Sequence, residues 1–134
     1  MDRDKIIKIK PSIENVRSFF ENNKSKYFRY YEKRPFDIIE EHVYTSLYLY
    51  DGEPIGYGHI DRENNKNWLG IFISDKYRNK GIGKIIMTDL VQNSKDDIYL
   101  TVDKENIGGI NLYKKIGFNI EVEENNYHLM LYKK

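Results

Sequence analysis

Between the hydrophobic run WLGIFI (Trp68 to Ile73) and the helical pattern KIIMTDLV (Lys84 to Val91) lies YRNKGIGK, Tyr77 to Lys84, which concentrates two glycines and three basic residues. Such residues at the start of a helix suit an anion. The first backbone N–H groups have no partner within the helix, the dipole is positive there, and glycine lets the backbone come close to a ligand. Arg78, Lys80 and Lys84 add charge around the same amides. Two nucleotide templates fail on this stretch. A Walker A loop aligned on Gly83-Lys84 would put its first glycine on Arg78 and its hydroxyl residue on Ile85, and a dinucleotide fingerprint would need glycine at Ile86. What remains is Arg78-x-x-Gly81-x-Gly83, which is either an anion nest or a glycine-rich turn with solvated lysines.

The elements around this stretch follow from periodicity. Ile6 to Lys10 alternates as a short strand, and Ser12 caps a helix with Ile13, Val16, Phe19 and Phe20 on one face. KYFRYYEKRPFDIIEEHVY, interrupted at Pro35, reads as a loop and a short second helix. Tyr44 to Tyr50, Ile55 to Asp61 and Trp68 to Ile73 form a three-stranded meander, turning at DGEP (Asp51 to Pro54) and RENNKN. A helix then runs to about Ser94, Ile98 to Val102 is a strand, and Asn106 to Phe118 becomes helical until Gly117 stops it. A closing hairpin follows, with Phe118, Ile120 and Val122 alternating before Tyr127, Leu129 and Leu131. Residues 1–134 read as one mixed α/β (α+β) domain of order β-α-α-β-β-β-α-β-α-β-β, a largely antiparallel sheet of about seven strands flanked by about four helices.

Composition narrows the chemistry. With 22 basic and 21 acidic side chains, the net charge of +1 carries no electrostatic footprint for nucleic acid. There is no cysteine to serve as thiolate nucleophile or zinc ligand, and His42, His59 and His128 lack the spacing of a helical metal pair, so no metal is expected. No stretch has the apolar length of a signal peptide or membrane span, which points to the cytoplasm. Tyrosine, at 12 copies, is the unusual feature.

The glycine-basic loop after a hydrophobic strand, followed by Asn106, a small residue at Gly109 and LYKKIGF (Leu112 to Phe118), resembles two ordered blocks of the GNAT superfamily of acyl-CoA N-acyltransferases. Those blocks are R/Q-x-x-G-x-G/A and N-x-x-A-x-x-L-Y-x-x-x-G-F. The resemblance covers Trp68 to Phe118, and the N-terminal third agrees in element order alone. It implies acetyl-CoA as co-substrate and a primary amine as acceptor. Its pantetheine arm would lie against Ile71, Phe72 and Ile73, where two strands diverge opposite Ile98 to Val102. Its pyrophosphate would lie on the amides of Arg78, Asn79, Lys80, Gly81, Ile82, Gly83 and Lys84. Asn106 matches the residue that bonds the cofactor arm, with a helix cap as its alternative.

Tyr113 matches the tyrosine that faces the sulfur, and a phenol of pKa roughly 10 suits a general acid for a departing thiolate. Packing on the sheet is the alternative. The family's glutamate base falls on Asn67, which cannot take a proton. His59 in the neighbouring strand, with Asp61 and Tyr57 on its face, is the best substitute, directly or through water, with a structural histidine as its alternative. The missing carboxylate tilts the acceptor towards an amine of pKa about 8 over a lysine. The aromatic and arginine residues Tyr27 to Tyr31 would suit an amino sugar or nucleotide-linked amino sugar, or else simply pack on the sheet. A protein N-terminal α-amine and a non-catalytic acyl-CoA-binding module are the other readings. No nucleic-acid or membrane partner is expected, and a homodimer is allowed.

Overall fold

The computed structural model describes all 134 residues. β1 (Ile6–Ile9) leads to α1 (Ile13–Glu21), where the Ser12 side chain accepts from the Asn15 amide and Asn15 returns the bond to Ser12. The aromatic stretch after α1 forms two 3-10 helices, Tyr30–Glu32 and Phe36–Glu41, in place of one short α-helix. Pro35 separates them, because it fixes its own φ and cannot donate to a preceding carbonyl. β2 (Tyr44–Tyr50), β3 (Glu53–Glu63) and β4 (Lys66–Ile73) form the expected meander, and α2 (Ile82–Gln92), β5 (Ile98–Asp103), α3 (Ile107–Ile116), β6 (Asn119–Glu123) and β7 (Tyr127–Tyr132) complete the order.

The seven strands lie in the order β1-β2-β3-β4-β5-β7-β6, antiparallel except where β5 joins β4. Strand alternation divides the core. One face of the meander carries Leu47, Tyr57 and Phe72 against Val16, Phe19 and Phe20 of α1. The other carries Tyr48, Ile55 and Ile60 against Ile82, Ile86 and Leu90 of α2. A third cluster joins Met87 of α2 and Ile110 of α3 to Ile98, Leu100, Val102 and Met130. The glycines of IGYG let α2 sit close on the sheet. A Cβ at Gly56 would fall 2.7 Å from Ile86 Cδ1, and one at Gly58 would fall 2.8 Å from Ile86 Cγ2.

Asp89 ties α2 to the far edge of the sheet. Its carboxylate accepts from Lys8 at 2.8 Å, Tyr44 at 2.7 Å and Tyr48 at 2.5 Å. Desolvation opposes its ionisation, but these bonds outweigh it and hold the carboxyl below its ordinary pKa.

On the α1 face a second polar cluster is buried. Tyr30 Oη donates to Asp61 at 2.7 Å and lies 2.8 Å from His42 Nε2, while His42 Nδ1 lies 2.7 Å from Thr45 Oγ1. With the Tyr30 proton given to Asp61, His42 donates from Nε2, and in the neutral ring that its lowered pKa favours, Nδ1 accepts the Thr45 hydroxyl. Beside it His59 Nδ1 lies 2.6 Å from Tyr57 Oη, and Tyr57 Oη lies 2.5 Å from Tyr31 Oη. Burial, first of all, pushes His42 down to about 4 and holds His59 well below its ordinary value.

Two outcomes follow for stability. Asp89→Ala strands two phenols and the Lys8 ammonium, and it lowers the unfolding free energy in urea by about 2–4 kcal/mol. A histidine whose folded pKa is depressed contributes stability that is complete above its unfolded pKa and is lost as pH falls towards the folded one. The melting temperature is therefore flat above pH 7 and declines between the 6.5 of the unfolded imidazole and the 4 of folded His42, a slope that His42→Gln flattens.

Candidate active site

β4 and β5 pair at Asn67 with Ile98 and at Trp68 with Tyr99, and not beyond. The closed end is pinned by buried Asn67, which accepts from Arg62 at 3.0 Å and donates to Ser94 Oγ at 3.2 Å. Past this pin the strands part and open a cavity of about 570 Å³ between Ile71–Ile73 on one side and Thr101–Asp103 on the other. Phe72 belongs to the α1-face core and Val102 to the α3-face core, so the slot runs through the sheet. Ser25, Tyr27 and Phe28 line its α1 side, and the N-termini of α2 and α3 line the other.

The glycine-basic loop lies at the mouth of this slot. Asn79 (φ +60°) and Gly81 (φ +82°) are both left-handed, turning the chain sharply into α2. Gly81 is the N-cap and supplies no side-chain acceptor, and the first turn holds no acidic residue, so the leading amides stay free for an anion. Arg78, Asn79, Gly81, Gly83 and Lys84 line the cavity, with Arg78 also paired to Asp75 at 3.1 Å. Two expected contributors lie elsewhere in side chain. Ile82 is buried in the α2 core, and Lys80 is exposed outside the lining, its carbonyl engaged by Arg3. The absent Cβ of Gly83 also has a packing reason, since it would fall 2.8 Å from Leu112 Cδ2 of α3.

Asn106 is both a helix cap and a cavity residue. Its Oδ1 accepts from the Gly109 amide at 3.0 Å, which leaves the Nδ2 hydrogens for a ligand. A Cβ at residue 109 would fall 2.6 Å from Nδ2, which accounts for glycine where the resembling motif has alanine. Tyr113, one turn further along α3, lines the cavity half-buried. Desolvation alone pushes its phenol up to about 12, so it keeps its proton at neutral pH.

His59 does not reach this cavity. It is 2% exposed and lies against Gly70 of β4, closed over by the rings of Tyr30 and His42, whose centroids are 4.3 and 4.6 Å away. Asp61 and Tyr57 share its face as alternation predicts, but all three are buried. The aromatic stretch likewise turns inward. Phe28 stacks on Phe20 at 5.1 Å and Tyr31 meets Tyr57. Sequence reasoning did not single out Thr101, Asp103 or Leu112 as lining residues. The parity of β5 carried a partial signal, since residues alternating with buried Leu100 and Val102 must face the α1 side. Asp103 is held there by Arg29 through two bonds of 2.9 and 3.2 Å, and Lys26 meets Glu105 at 3.0 Å. These ion pairs strap the loop after α1 across the slot.

A family model described as the acetyltransferase (GNAT) family matches residues 12–118. The chain is 31% identical over 102 residues to the spermine/spermidine N(1)-acetyltransferase of Bacillus subtilis (strain 168), spanning 65% of this chain and 67% of that one. Among solved structures, a GNAT-family acetyltransferase from Streptococcus pneumoniae superposes with a TM-score of 0.80 at 16% identity, covering 96% of this chain and 98% of that one. The PaiA N-acetyltransferase of Thermoplasma acidophilum, solved with coenzyme A, gives 0.79 at 19% identity, covering 96% and 99%. No helix of this chain is long and apolar enough to cross a membrane. Sheet order, slot, uncapped helix and family model agree, and the chain belongs to the GNAT family as an acetyl-CoA-dependent N-acetyltransferase.

Proposed function

We propose that the through-sheet slot is the acyl-transfer site, with the donor on the α2/α3 side and a small primary amine arriving from the α1 side. The observation that carries this reading is the cavity itself. It joins the uncapped start of α2, the free amide of Asn106 and the phenol of Tyr113 to an opening on the opposite face of the sheet. When bound, acetyl-CoA supplies an activated thioester carbon and a thiolate leaving group. The Gly81–Lys84 amides with Arg78 and Lys84 hold its pyrophosphate. The open edges of β4 and β5 hold the pantetheine arm. Tyr113, protonated at neutral pH, would give its proton to the departing sulfur and regain one through solvent from that released by the amine.

A polyamine-like acceptor has the best support. The relative of 31% identity is named for spermine and spermidine, and the α1-side mouth carries Asp103 and the ring of Tyr27. An amino sugar or its nucleotide-linked form fits less well. Tyr31 is bonded into the core and Arg29 is held on Asp103, so the α1 side of the slot presents rings but no free guanidinium for a phosphate. An extended peptide would have to displace the strap.

No histidine lines the cavity, and its one carboxylate is already paired with Arg29. The acceptor is therefore read as reacting in its neutral form, its proton leaving to water, with no role for His59 as base. Thiol release measured with a diamine, spermidine, a monoamine, an amino sugar and a peptide amine ranks the acceptors. A preference for the amino sugar or the peptide would overturn the polyamine reading. Tyr113→Phe lowers kcat about a hundredfold and changes KM for acetyl-CoA by less than about twofold. The pH dependence of kcat/KM follows the acceptor's own pKa. His59→Asn leaves that midpoint in place while lowering the melting temperature, whereas a midpoint that moved with His59 would restore it as the base.

A further inference from the structure

Arg3 is far from the slot in sequence and does not line it, yet it is bound to the phosphate loop. Its Nε and Nη2 both donate to the Lys80 carbonyl, at 3.0 and 2.8 Å. The guanidinium lies against Gly81 so closely that a Cβ there would be 2.6 Å from Nη2. Arg3 also has a fixed base. It opens a 3-10 turn, Arg3–Lys5, capped by the Asp2 side chain on the Asp4 amide, and this turn runs directly into β1.

We propose that Arg3 is a positioning residue for the donor: by chelating the Lys80 carbonyl it sets the peptide plane that aims the Gly81 N–H into the pyrophosphate cradle. In a trans peptide the carbonyl and the following N–H point to opposite sides of the chain. With the carbonyl held on the Arg3 side, the Gly81 amide is directed to the other side, where Gly81 lines the cavity. Without that anchor the plane can rotate readily, because it turns about ψ of Lys80 and φ of Gly81, and glycine, left-handed here, tolerates most backbone angles. Within α2 the first N–H to find a helical carbonyl is Ile85, at Gly81, so the amides ahead of it depend on this orientation to meet a ligand together. Arg3 joins none of the chain's ion pairs, so its charge adds to that of Arg78 and Lys84 beside the cradle. The packing at Gly81 is then reciprocal. Glycine there serves the left-handed turn and also admits the guanidinium that orients it.

This inference rests on the reading that Arg78–Lys84 holds the pyrophosphate, and the two are separable by experiment. Calorimetric CoA binding and steady-state kinetics are measured for the wild type, Arg3→Ala and Lys84→Ala, with acetyl-CoA and with S-acetylpantetheine, which lacks the pyrophosphate. For Arg3→Ala the expected result is CoA binding weakened about five- to tenfold. KM for acetyl-CoA should rise in step, with kcat and melting temperature unchanged and KM for S-acetylpantetheine unaffected. Loss of affinity in Lys84→Ala with none in Arg3→Ala would overturn the role of Arg3 and leave the cradle standing. No loss in either variant would overturn both. An equal rise in KM for both donors would show that Arg3 supports the fold generally, and would also reject the proposal.

Discussion

Two residue pairs hold β4 to β5, and the rest of the site depends on their being only two. Parallel neighbours joined along their length would present a closed sheet with no way through it. Joined at Asn67 and Trp68 alone, they diverge towards Ile73 and Asp103 and leave unpaired backbone on both edges. Such groups need partners, and an extended ligand arm supplies them without any demand on side-chain identity. The pin at the closed end is correspondingly strong. Asn67 is buried with both ends of its amide bonded, and the Trp68 and Tyr99 rings meet at 5.6 Å. Asparagine at the position of the resembling family's base thus serves the fold here, tying β4 to Arg62 of β3 and to Ser94 beyond α2.

The helices turn that gap into a site. α2 and α3 aim their N-termini at one side of the slot, and close contact between them requires glycine at 83 against Leu112. α2 is held against the sheet by Ile86 and Leu90 over Gly56 and Gly58, and by Asp89 reaching Lys8, Tyr44 and Tyr48. The loop that presents free amides is therefore fixed from below by packing and from its outer edge by Arg3. On the opposite side of the sheet, the strap of Arg29 on Asp103 is exposed enough that its ion pair contributes little to stability.

Element order was legible because alternation, helical spacing and glycine stops each act locally. Ser12 capped α1, Gly117 ended α3, and the meander turned where DGEP and RENNKN predicted. The departures share a cause. Strand parity correctly put His59, Asp61 and Tyr57 on one face, but parity carries no information about depth. His59 is buried against the rings of Tyr30 and His42 and does not line the cavity. The aromatics after α1 have the composition of a ligand surface, but only Tyr27 and Phe28 reach the slot, because α1 and the meander together leave an apolar concavity against which Phe28 and Tyr31 pack.

The sequence by itself determined the family, the donor and the glycine-basic turn that opens α2, because each is written in residues close together along the chain: Arg78 to Lys84, and Asn106 to Phe118. Only the tertiary structure decided which groups share the cavity. It brought Tyr27 and Asp103 to the same opening, placed Arg3 behind a loop 77 positions away, and removed His59 from reach. The physical reason is that a proton or an ammonium responds to distance and solvation. Both are set by how the sheet splays and what covers it, and neither is encoded in spacing along the chain.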